Sequence, residues 1–150
     1  MTEKERNKEL CERFPFLIPY SIWTGEIIDG YEYEYTILDE MPGGWRTAFG
    51  EQMCQEVLDA ISINDWKEYY HVVSIKEKYG ELVWHGNFTS TQLMDVLEKY
   101  TKLSRHTCIT CGKPATKISL GWIAPYCDRC AKLYCNNTKP LTEDEYENSL

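Results

Sequence analysis

The chain predicts an α+β fold, with two helices and a β-hairpin around one core and a zinc-ribbon-like unit on the C-terminal side. Three observations predict it. Apolar residues recur at helical spacing across 45–61 and 93–104, and β-branched residues flank a glycine turn near position 80. Two Cys-x-x-Cys pairs then enclose the fifteen residues 112–126. A chain of 150 residues suffices for one modest core with the metal unit as an appendage. The expected organisation is a charged helix and an acidic, aromatic extended segment over 1–41, an α+β core over 42–105, a zinc ribbon over 106–135 and a flexible acidic tail over 136–150.

The first element is a short charged helix over 2–13, with Thr2 as N-cap and Glu5 closing a capping box. The run from Phe14 to Tyr20 is apolar but cut by Pro15 and Pro19, which predicts an extended strap on the core surface. From Glu26 to Glu40 there are six acids and no base, interleaved with three tyrosines. The alternation permits a strand with Tyr31, Tyr33 and Tyr35 on one face and Glu32 and Glu34 on the other, and equally an irregular acidic arm. Met41-Pro42-Gly43-Gly44 is a break, after which a helix begins near Trp45. Its buried stripe is Trp45, Ala48, Phe49, Met53, Val57, Ala60 and Ile61. Tyr70 to Lys76 and Leu82 to His85 read as paired strands. The second helix spans 90–104, capped by Thr89 and Gln92, and buries Leu93, Val96, Leu97, Tyr100 and Leu103 or Ser104. Trp45, Trp84 and Trp122 are expected to pack within core or ribbon.

Cys108, Cys111, Cys127 and Cys130 carry the clearest chemistry. A Cys-x-x-Cys turn aims two sulfurs at one point, and a second such turn closes a tetrahedral shell around zinc. Gly112 permits the turn back after Cys111, and Pro114 stiffens the exit. Four thiolates leave no vacancy for water, so the expected ion is structural zinc. Disulfide pairing of the same four is the competing reading. Cys135 or His106 also lies close enough in sequence to replace a ligand. Cys11, Cys54 and Cys135 bring the total to seven, an odd number in unrelated contexts. The charged N-terminal residues lack the apolar core of a signal peptide, and no run approaches the ~18 apolar residues of a membrane span. A reducing cytoplasm is the expected setting.

Charge is unevenly placed. Residues 1–100 carry nine Lys/Arg against nineteen Asp/Glu, whereas 101–135 carry six against one, within a net charge of −8. Enzyme motifs are missing. A zinc nucleobase deaminase would need Pro directly before a Cys-x-x-Cys pair and a His-x-Glu, but Tyr126 separates Pro125 from Cys127 and no histidine has the glutamate. There is no Walker loop, Gly-x-Gly-x-x-Gly or His-Glu-x-x-His, and Cys54 reads as a small buried hydrophobe of its helix.

Gly44-Trp45, the helix segment Gly50-Glu51-Gln52-Met53-Cys54 and the hairpin from Ile75 to Leu82 form one set of motifs. Thr107-Cys108-Ile109-Thr110-Cys111-Gly112, Gly121-Trp122 and Cys127-Asp128-Arg129-Cys130-Ala131 form another. Together they resemble a group of small uncharacterised phage and prophage proteins with a C-terminal four-cysteine zinc knuckle. The resemblance covers roughly residues 42–132. It departs at the hairpin, where such proteins usually have two glycines and an Arg and this chain has Gly80-Glu81 and Val83. It implies a phage or mobile-element setting in a bacterial host and a zinc knuckle, without a mechanism.

Two binding functions are expected, neither enzymatic. In the first, Glu26, Asp29, Tyr31, Glu32, Tyr33, Glu34, Tyr35, Asp39 and Glu40 present carboxylates and rings to a basic groove of a host protein, imitating nucleic acid and inhibiting or redirecting a defence or nucleic-acid-handling complex. In the alternative, Lys113, Lys117, Arg129 and Lys132 hold phosphates while Trp122 stacks on a base. The acidic balance of the whole chain opposes the second.

Overall fold

A computed structural model describes residues 1–142. Its elements are α1 (Glu3–Arg13), a 3-10 turn (Pro15–Leu17), a second (Ile37–Glu40), α2 (Gly43–Trp45), a π turn (Arg46–Gly50), α3 (Glu51–Ile63), strands β1 (Val72–Lys78) and β2 (Glu81–Gly86), α4 (Thr91–Arg105), β3 (Lys117–Ser119), β4 (Pro125–Tyr126), α5 (Asp128–Tyr134) and β5 (Thr138–Pro140). The fold is α+β, with a two-stranded hairpin and a separate antiparallel sheet of order β4-β3-β5.

Local chemistry explains the helix ends. Thr2 caps α1 through the expected box, its side chain accepting from Glu5 N–H at 3.1 Å and its own N–H donating to Glu5 Oε2 at 2.9 Å. At α4 the cap is Ser90, one residue after the expected Thr89, because Ser90 Oγ reaches Leu93 N–H at 3.2 Å. The long central helix holds a correction as well. The π turn over Arg46–Gly50 adds a residue to one turn, so Trp45, Phe49 and Met53 stay buried while Ala48, expected in the stripe, faces out. Asn64 ends α3. The hairpin turn is tighter than expected: Tyr79 (φ 52) and Gly80 (φ 81) both take positive φ, the two-residue type I′ geometry whose twist suits the flanking strands.

One core unites most of the described chain. Trp45, Met53, Val57 and Ile61 meet Ile75 and Leu82 of the hairpin and Leu93 and Tyr100 of α4. The segment before residue 42 contributes to the same core. Phe14, Phe16 and Leu17 are fully buried, in contrast to the surface strap expected from the two prolines. Pro15 opens a 3-10 turn, where its fixed φ is compatible and its missing N–H costs nothing. The Phe16 ring lies 5.8 Å from Tyr70 and 6.2 Å from Trp84, both edge-on, and Trp84 Nε1–H donates to Tyr70 Oη at 3.0 Å. Ile37, Leu38 and Met41 close the cover.

Between Tyr20 and Ile37 the chain is irregular, so the strand alternative for the tyrosine segment is not adopted. Tyr33 at φ 65 breaks the alternation. On the C-terminal side, Thr138–Pro140, assigned from sequence to a flexible tail, pairs antiparallel with β3. The acidic run beginning at Glu143 lies outside the described residues.

Candidate metal centre

The two cysteine pairs converge by different local means. Cys108 and Cys111 sit on a knuckle after α4, in which Cys108 N–H donates to Lys113 O at 2.7 Å and Gly112 N–H returns to Cys108 O at 3.1 Å. Gly112 has φ +86, and an added Cβ would meet Gly44 O at 2.7 Å, so both conformation and space demand glycine there. The second pair is not a matching hairpin knuckle. Cys127 is the N-cap of α5, its sulfur accepting from Cys130 N–H at 3.4 Å, and Cys130 lies in the first turn. The β3–β4 hairpin joins the halves, with Ser119 N–H donating to Ala124 O at 3.0 Å and Ile109 N–H to Pro125 O at 3.0 Å.

The four sulfurs lie within 4.8 Å of one another, Cys111 and Cys127 at 3.6 Å. A tetrahedron of thiolates with bonds of ~2.3 Å has edges of about 3.8 Å, so the cluster has the dimensions to hold one ion. All seven cysteines are free thiols, and this cluster is not a pair of disulfides. Cys135, at the opposite end of α5, points at Asn137 O at 3.6 Å, and His106 is the exposed C-cap of α4. Neither belongs to the cluster.

Electrostatics of the bare thiols favour a cation. Burial and the neighbouring thiols push Cys130 up to about 12. For Cys108, burial acts in the same direction, but N–H groups of the knuckle and of Cys127 outweigh it and bring the thiol down to about 7. Amides aimed at sulfur and a soft all-sulfur donor set suit zinc among common divalent ions.

Hydrogen bonds from Gly44 and Trp45 fasten the centre to the core. Gly44 N–H donates to Ile109 O at 2.9 Å, and the buried Trp45 Nε1–H donates to Thr107 O at 2.9 Å. An added Cβ at Gly44 would stand 2.2 Å from Cys108 O. The sequence marked Gly43-Gly44 as a break but held no signal for this contact, which joins positions more than sixty residues apart.

The remaining expected residues fall into two groups. Glu26, Asp29 and Glu34 are exposed carboxylates, while Glu32 pairs with Lys4 at 3.5 Å. Asp39 is committed to the fold, pairing with Arg46 and accepting from Thr36 N–H at 2.9 Å. Burial raises the carboxyl of Glu40 above its ordinary range. Tyr31, Tyr33 and Tyr35 do cluster, with ring centroids 5.0 and 5.9 Å apart around Tyr31, but they brace the segment. Tyr31 Oη donates to Tyr35 O beside Cys11, and Asn7 Nδ2 donates to Tyr33 O at 2.9 Å. Among the basic residues, Lys117 and Lys132 line one hollow of about 460 Å³ with Cys135 and Asn136. Trp122 is 78% exposed, against the expectation of packing, and lines a different hollow of about 390 Å³ with Tyr79 and Lys78. Lys113 and Arg129 are exposed elsewhere on the unit. Ring and lysines therefore do not share one groove. No helix among the described residues is long and apolar enough to cross a membrane. No protein-family model matches the chain, and no curated protein or solved structure matches it significantly.

Proposed function

We propose that the chain is a zinc-stabilised, phage-type protein that acts without turnover, binding a host protein complex and inhibiting or redirecting it. The observation that carries this reading is the segment 14–45, which contains six acids and no Lys or Arg and displays Glu26, Asp29 and Glu34 in solvent. Carboxylates on a fixed surface act as phosphate substitutes for an Arg/Lys-lined channel and raise association rates through long-range charge. Zinc held by Cys108, Cys111, Cys127 and Cys130 would supply a cross-link of four saturated bonds, which shapes the C-terminal unit and leaves no position for a reacting water.

The test is affinity capture from bacterial lysate with the wild-type chain and with Glu26→Lys, Asp29→Lys and Glu34→Lys combined. A stoichiometric protein recovered by the first and lost by the second supports the reading. Equal recovery by both removes it. Saturable, salt-sensitive binding of labelled single-stranded DNA or RNA without a protein partner moves the function to Lys113, Lys117, Trp122, Arg129 and Lys132.

A further inference from the structure

Four exposed large apolar side chains fall close together in residues 19–28, where the sequence assigned a binding role to Glu26 alone. Trp23 is 91% exposed and Ile22 59%, with Ile27 and Ile28 also open to water. Scattered surface hydrophobics need no explanation, but a contiguous apolar group beside polar residues marks an interaction site.

This segment is built. Ser21 N–H donates to Glu26 O at 2.8 Å and Gly25 N–H to Ser21 O at 2.7 Å, while Tyr20 and Ile27 bridge as an antiparallel pair. Ser21 Oγ accepts from Trp23 N–H at 3.3 Å and Thr24 N–H at 3.4 Å. Gly25, at φ +72, closes the turn. The root is anchored, since Pro19 is buried and the Tyr20 ring stacks on His71 with centroids 4.4 Å apart. Backbone order thus holds an indole out in water. Such pre-organisation lowers the entropy lost on binding.

Charge selects the occupant. Glu26 lies within the apolar run and Asp29 directly after it, and no Lys or Arg lies between positions 14 and 45. The acids repel anionic lipid headgroups and nucleic acid. A net charge of −8 on each molecule opposes a second copy. An apolar centre with a charged rim is the layout of a protein hot spot. We infer that residues 19–28 form the docking arm for the partner, inserting Trp23 and Ile22 into an apolar pocket rimmed by Lys or Arg of a protein, while Glu26 and Asp29 pair with that rim. This rests on the partner-binding reading above and names its anchor.

The experiment compares zinc-loaded wild type, Trp23→Ala, Glu26→Lys with Asp29→Lys, and Met94→Ala, which trims an exposed side chain of α4. Calorimetry against the purified partner from the capture experiment supplies Kd. Trp23→Ala is expected to raise Kd about 30-fold, the size of an aromatic hot spot, with thermal unfolding unchanged because the indole touches water. The charge reversal raises Kd most at low salt, because the new lysines repel the basic rim and salt screens that repulsion, and Met94→Ala leaves Kd as it was. A Trp23→Ala Kd within about twofold of wild type, far below hot-spot size, overturns the arm and leaves the partner-binding reading standing. Absence of any protein partner overturns both. Phosphatidylcholine vesicles, with and without phosphatidylserine, are the second probe. A blue shift of wild-type tryptophan emission that Trp23→Ala abolishes assigns the tip to lipid and overturns the proposal, as does a concentration-dependent dimer that the same variant dissolves.

Discussion

Replacing Gly44 by Ala tests whether the metal centre and the core are one mechanical unit. The new methyl would lie 2.2 Å from Cys108 O and 2.6 Å from both the carbonyl carbon and oxygen of Ile109, where ordinary contact begins at 3.4 Å. All three atoms are backbone, so no side chain can swing aside. The knuckle must retreat by roughly 1 Å, an overpacking strain of about 1–3 kcal/mol. Retreat also breaks the hydrogen bonds from Gly44 N–H to Ile109 O and from Trp45 Nε1–H to Thr107 O, about 1 kcal/mol each. The loss of roughly 3–5 kcal/mol lowers Tm by roughly 6–20 °C in a chain of this length. Because Cys108 moves with the knuckle, zinc affinity measured by chelator competition falls by about tenfold or more, the scale for residues that orient metal ligands. Gly43→Ala is the internal control, with nothing within 4 Å of its new methyl and up to about 1 kcal/mol of stabilisation from helix propensity. If Gly44→Ala melts and binds zinc like Gly43→Ala, the coupling argued here is wrong.

Zinc removal is expected to raise amide hydrogen exchange across 106–142 and at Trp45, and unchanged exchange in metal-free protein would remove the ion's role in folding. Apparent zinc affinity should fall as pH falls, because thiols such as Cys130, pushed up to about 12, must release protons to bind; titration at several pH values checks this. Ser104 Oγ accepts from Leu82 N–H at 2.9 Å in a fully buried site, so Ser104→Ala orphans that donor and costs about 1–3 kcal/mol in urea unfolding. Burial holds His71 below its ordinary 6.5, and its Nδ1 is buried without a hydrogen-bond partner among the described residues. The folded state thus prefers the neutral ring. This contribution to stability is complete above pH 6.5 and is lost as pH falls below it towards the folded value, so His71→Gln should flatten the Tm profile on the acid side of pH 6.5. An identical slope in the variant would reject that account.

Spacing alone pointed to the cluster of Cys108, Cys111, Cys127 and Cys130, because Cys-x-x-Cys geometry is local and needs only a return of the chain. Periodicity likewise revealed α3, α4 and the hairpin, and the box at Thr2 revealed the start of α1, since each signal lies within a few residues. Local rules failed where distant packing chose between allowed states. Pro15 was compatible with a strap or a 3-10 turn, and burial of Phe14, Phe16 and Leu17 selected the turn. The π turn that turns Ala48 outward leaves no mark in composition. Sequence did not show that Asn7 and Cys11 would be brought against Tyr33 and Tyr31, and Trp122 looked like packing until β3 and β4 left it at their tip. Which residues carry sulfur and charge was written in the chain. Which of them meet water, and how Gly44 fastens the metal unit to the core, depended on contacts between segments far apart in sequence that only folding could bring together.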